Sequence, residues 1–153
     1  MPSGPVHNAA TLTVAATSAV MVLYKTSGDG ASAMYCAMGA LAGLICTPDW
    51  DLDGQNLSIK ELVEHPVHFV WRVFLSPYAH ICKHRSATSH APIISTLGRL
   101  AYVALWIAPL WICKGWEFPR LQAWMLWGVF GLMLADFCHF LLDKLDELFG
   151  GRL

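Results

Sequence analysis

The sequence predicts an all-α integral membrane protein with about four transmembrane helices and one long loop carrying an interfacial helix. Three observations predict it. Of 153 residues, 56% are hydrophobic and 14% charged, and the mean hydropathy is +0.46; soluble chains run at roughly 25% charged. Four apolar runs come close to the ~20 residues that cross a bilayer as helix. None of these runs alternates with period two, and helix is the form that satisfies such a backbone in lipid. A very apolar soluble bundle is the alternative, but seven Trp and seven Phe are hard to hide in so small a domain. The length fits a single domain over residues 1–153.

Met1 to Asn8, with Pro2, Gly4 and Pro5, reads as a polar, turn-forming lead. It carries no Lys or Arg before the first apolar run, which argues against a cleaved signal peptide. Ala9–Tyr24 makes only ~24 Å of helix, so the first helix is expected to start near His7 or Asn8. A tight polar turn follows at Lys25–Gly30, then a second run, Ala31–Cys46, whose Gly39 and Gly43 form a small-xxx-small pattern suited to close helix packing. Thr47-Pro48 ends it.

Asp49 to Gln55 is a carboxylate-rich turn, and Ser58 to Glu64 reads as a short helix with a Ser58/Glu61 capping box. After His65-Pro66, the stretch Val67–His80 is interrupted by Arg72 and Pro77; an interfacial or re-entrant amphipathic piece is expected there. The polar stretch Lys83–His90 comes next. Pro92 can open the third crossing, Ile93–Cys113, and Lys114–Pro119 is a short turn. The fourth run, Arg120–Leu142, continues for a turn or two into the charged tail until Gly150-Gly151 stops it.

Four crossings put the N-terminus, the 47–92 loop and the C-terminus on one side. That arithmetic gathers His7, Asp49, Asp51, Asp53, His84, His90, Asp136, His139 and Asp143 at one face, as candidate ligands for one or two metal ions. Asp136, His139 and Asp143 are spaced i, i+3, i+7 and share a helical stripe. Asp136 lies ~10 Å from Asp143 along the axis, inside the apolar layer or at its edge. A bare carboxylate there is expensive, so a metal, a histidine or Arg99 is expected beside it. Mixed imidazole and carboxylate donors suit Zn²⁺ first, then Mn²⁺ or Fe²⁺; a Ca²⁺ site is normally all oxygen.

Each candidate has a plainer reading. The Asp49–Asp53 triplet opens like a calcium loop, but Gln55 spoils the pattern and it can be a solvated turn. His84 and His90 can be surface histidines beside lipid head groups, and Arg85 either an anion clamp or a head-group anchor. His80 becomes a further ligand if its segment is helical, while His65 and His68 have weaker claims. Tyr24, Trp106, Trp111, Trp116 and Trp124 read as interface anchors. The five cysteines lack CxxC spacing and read as small buried hydrophobes. At a net charge of −1, with no basic stripe, nucleic acid is not an expected partner.

Met-Pro-Ser-Gly with His7, Thr47-Pro48-Asp49 with Asp51 and Asp53, Tyr78, His84-Arg85 followed by Ser89-His90, and Asp136 with His139 and Asp143 together resemble a family of uncharacterised bacterial metal-binding membrane proteins. That group is similar to the YdjM-like membrane-bound metal-dependent hydrolases, with their His-Arg…Thr-His-Ser and Asp-x-x-His-x-x-x-Asp stretches. The resemblance implies several spans in a bacterial inner membrane, a divalent metal and, more distantly, hydrolysis. It breaks after His90, where Ala91 stands in place of the Ser.

In the hydrolase reading the metal activates water against an ester or phosphoester, Asp49 or Asp143 acts as general base, and Arg85 holds the anionic part of an amphipathic substrate. The alternative is a non-catalytic metal-binding protein or an ion transporter, although a transporter places its polar groups near the midplane. Membrane lipids, and a second copy of the chain, are the expected partners. Lys60, Arg72, Lys83, Arg85, Lys144 and Arg152 on the clustered face outnumber Lys25, Lys114 and Arg120, which favours a cytoplasmic site.

Overall fold

Apolar runs bounded by Pro, Gly and short polar turns become helices joined into a bundle. The computed structural model describes residues 4–46, 66–82, 91–115 and 122–150. Among the described residues there are five helices and no strand: α1 (Gly4–Lys25), α2 (Gly30–Ala42), α3 (Pro66–Ile81), α4 (Pro92–Cys113) and α5 (Ala123–Leu148). The short helix expected at Ser58–Glu64 lies outside them. Among the described residues three helices, α1, α4 and α5, are long and apolar enough to cross a membrane.

Helix α1 starts about one turn earlier than expected. Pro5 explains the difference: its fixed φ suits the first turn of a helix, where its missing N–H costs nothing. His7 therefore sits inside a helical turn, with its carbonyl accepting from Thr11 Oγ1 at 3.0 Å. At the far end the Gly28 amide donates to the Leu23 carbonyl at 2.8 Å while Ser27 takes a left-handed φ of 54°, a Schellman-type closure. Asp29 then caps α2, accepting from the Ala31 and Ser32 amides and from the Ser32 hydroxyl at 2.5 Å. The Ser32 hydroxyl, ahead of the amides, holds the Asp29 carboxyl below the usual carboxylate range.

Helix α2 is shorter than the expected Ala31–Cys46 run, with 13 residues. The run nevertheless continues: the amides of Gly43, Leu44 and Ile45 donate three residues back, at 3.0 Å each, so the chain tightens into 3₁₀-type turns up to Cys46. At ~1.5 and ~2 Å rise per residue, this stretch spans ~27 Å, near the ~30 Å of a hydrocarbon layer. Helix α3 likewise runs unbroken through Pro77, where an interruption was expected. Its Leu75 and Tyr78 are buried and pack with Trp71 and Phe74 against Tyr102 and Val103 of α4, and the Tyr102 hydroxyl donates to the Phe74 carbonyl. Those contacts offset the donor that proline removes.

The interior is small and polar, the exterior large and apolar. Ala15, Ala33, Cys36, Ala40 and Ala135 are buried together with Ser18, Ser32, Ser95 and Thr96; Leu12, Val20, Leu105, Leu110, Leu126 and Phe137 are exposed. Exposing so much large aliphatic surface is a liability in water and ordinary in lipid, where small residues let backbones approach. Helix α2 packs closely on α5, and α1 packs on both. A Cβ built at Gly131 falls 1.9 Å from the Cys36 carbonyl oxygen, and one at Gly39 falls 1.9 Å from that of Gly128. The Gly39/Gly43 pattern thus meets a matching seam of Gly128, Gly131 and Ala135. Gly131→Ala is expected to force the helices apart at about 1–3 kcal/mol. Gly98→Ala, with nothing within 4 Å of its added Cβ, should be neutral or stabilising by up to about 1 kcal/mol. Thermal unfolding in detergent measures both.

Candidate metal centre

Antiparallel packing of α1 on α5 brings the first turns of one to the last turns of the other. His139 and Asp143, one turn apart, face the same way as α5 leaves the bundle, and His7 meets them from α1. The His7 and His139 rings stack with centroids 3.9 Å apart and planes 19° from parallel. Asp143 lies between their outer nitrogens: Oδ1 is 3.5 Å from His7 Nε2, and Oδ2 is 3.4 Å from His139 Nε2. All three side chains are about nine-tenths buried.

These three residues can each offer a ligand atom, all within 4.8 Å of one another. The nitrogen–oxygen separations exceed those of a good N–H···O bond. Each is close to the ~3.3–3.4 Å between two donors held tetrahedrally at about 2.0–2.1 Å from a zinc ion, with each imidazole facing a different carboxylate oxygen. His7 Nδ1 is buried without a hydrogen-bond partner. The set therefore fits a divalent ion in both donor chemistry and spacing.

Residues 2–150 match the model of a family described as an uncharacterized metal-binding protein (DUF2227). The chain belongs to that family. No curated protein and no solved structure matches it. Within this DUF2227 chain, the described residues that converge as ligands are His7, His139 and Asp143, three of the nine candidates. Asp49, Asp51, Asp53, His84 and His90 lie outside the described residues, as do Arg85, His65 and the side chain of His68.

The structure takes Asp136, the ninth candidate, elsewhere. Among the partners expected for it, Arg99 is the one found: the Arg99 guanidinium pairs with the Asp136 carboxylate, to which Thr96 Oγ1 also donates. A second arm of Arg99 reaches the Cys46 carbonyl, and its Nε donates to the Ser95 carbonyl at 3.4 Å. Arg99 is 1% exposed and Asp136 2%. One buried cation thus ties α4 to α5 and to the end of the α2 run, one turn below His139. Thr96 and Ser95 carried a weak sequence signal, as hydroxyls in an apolar run at i−3 and i−4 from Arg99. His80 is helical, but its Nδ1 is 2.8 Å from the Ser76 carbonyl oxygen, a local contact within α3.

Proposed function

We propose that the protein is a four-span membrane metalloenzyme that holds Zn²⁺ through His7, His139 and Asp143 and hydrolyses an ester or phosphoester at head-group depth. The donor set carries this reading. Structural zinc sites are mostly built from cysteine thiolates, whereas two histidines and a carboxylate are the ligands of zinc hydrolases that keep a position open for reaction. The similarity of its motifs to those of the YdjM-like hydrolases points the same way. A divalent ion held there supplies Lewis-acid activation of water near neutral pH.

The chain's own parts follow. His7 and His139 bind as neutral imidazoles. Asp143 lies among the ligands, so general-base work falls to Asp49, and Arg85 holds the anionic part of an amphipathic substrate. The excess of Lys and Arg on the loop and tail side favours a site at the cytoplasmic face of a bacterial inner membrane. Zinc-loaded protein in detergent should turn over one of a phosphomonoester, a phosphodiester and a lipid ester, lose that activity to a chelator and regain it with zinc.

A second reading has its own observation. The ligands come from the first and last helices, so an ion there also clips the two ends of the bundle together. Protein that binds zinc, loses thermal stability on chelation and turns over none of the three substrates supports this structural role instead.

A further inference from the structure

Helices α1 and α5 carry the metal ligands, and an apolar trough runs between the same two helices. Its α1 wall is Val14, Thr17, Ser18 and Met21, and its α5 wall runs from Leu134 to Leu141. Met21, Phe137 and Leu141 are each more than two-fifths exposed, so the trough opens outward to the bilayer. Both hydroxyls are spent on their own helix: Thr17 Oγ1 donates to the Thr13 carbonyl at 2.8 Å and Ser18 Oγ to that of Ala15 at 3.3 Å. The walls that remain suit hydrocarbon.

The trough begins at the depth of the metal centre. Leu141 lies between His139 and Asp143 in sequence. On α1, Val14, Ser18 and Met21 follow His7 at i+7, i+11 and i+14, along one stripe of the helix. Val14 is ~10 Å from His7 along the axis. A second hollow shares Thr17 and Met21 with the first and continues to Tyr24, so a path leads from the imidazoles down through the apolar layer. The trough encloses about 290 Å³. Spread over the ~10 Å of axis between Leu134 and Leu141, that is a channel ~6 Å across, too narrow for a helix of ~10–12 Å diameter. A single hydrocarbon chain fits, and it recovers the dispersion contacts that an empty groove forfeits.

We infer that this trough seats the acyl chain of a lipid whose ester or phosphoester group lies at the metal centre. The inference rests on the hydrolase reading above and narrows its substrate to long-chain lipids. In the reaction, the hydroxyl of water adds to the acyl carbon or phosphorus, and its proton goes to the departing oxygen.

The test uses the full-length, zinc-loaded protein in phosphatidylcholine vesicles that contain phosphatidic acid with a diazirine midway along one acyl chain. After irradiation on ice, mass spectrometry should find the label on residues 14–21 and 134–141. One surplus methylene in an apolar pocket already shifts discrimination by roughly 10-fold, so Thr17→Trp should cut that labelling by about 10-fold or more. Thr17→Phe serves if the tryptophan variant does not fold by circular dichroism. Leu105→Trp, at a position 70% exposed on α4, should leave labelling unchanged. Removing zinc should reduce it, because the phosphate loses its anchor. Label spread equally over α4, or labelling indifferent to Thr17→Trp or to zinc, overturns this inference and marks ordinary bilayer lipid. Zinc-dependent labelling of the trough with no turnover of a phosphomonoester, a phosphodiester or a lipid ester overturns the hydrolase reading and leaves the lipid seat standing.

Discussion

His139→Ala is expected to cost the protein its divalent metal. His139 offers one of three ligand atoms that lie within 4.8 Å of one another, and alanine leaves two donors on two different helices. Losing an outer-shell partner already weakens metal sites by roughly 10–100-fold, so loss of a direct ligand should weaken zinc binding by about 100-fold or more. His7→Ala should behave alike, because its Nε2 stands in the same relation to Asp143. Metal analysis of protein purified in detergent, with circular dichroism to confirm helix content, measures both. Full zinc retention in either variant removes that residue from the site.

Arg99→Ala should be the most damaging change to stability. It strands the Asp136 carboxylate at 2% exposure and removes the donor to the Cys46 carbonyl. Breaking one side of a buried ion pair costs about 3–5 kcal/mol, because an uncompensated charge remains. The paired change Arg99→Met with Asp136→Leu should recover most of that loss, since apolar replacements of similar volume are often neutral or better. Thermal unfolding of the single and double variants in detergent separates the two cases. A double variant no better than Arg99→Ala means that the arginine acts through the backbone carbonyl more than through the aspartate.

Much of this was legible in the residues. Helical class and the small-residue seam followed from run length and from Gly39 and Gly43. The i, i+3, i+7 spacing of Asp136, His139 and Asp143 gave one stripe, and Asp136 was expected to need a partner such as Arg99. Counting crossings brought His7 to the same rim as Asp143 across more than 130 positions of sequence. What periodicity does not encode is which members of a stripe share a ligand. Asp136 and Asp143 are equivalent by spacing, and only the packing of α4 on α5 sends the first to an arginine and leaves the second between two imidazoles. The early start of α1 and the unbroken α3 were hidden because Pro5 and Pro77 read alike as breakers; position in the helix and tertiary contacts decide their effect.

A divalent ion held between the first and last helices by two imidazoles and a carboxylate has a distinct signature in X-ray absorption at the zinc edge of the zinc-loaded protein. The expected spectrum shows a nitrogen and oxygen shell at about 2.0–2.1 Å, with imidazole scattering that falls away in His7→Ala and His139→Ala. Protein that retains no zinc, or a shell dominated by sulfur at about 2.3 Å from the chain's cysteines, contradicts it.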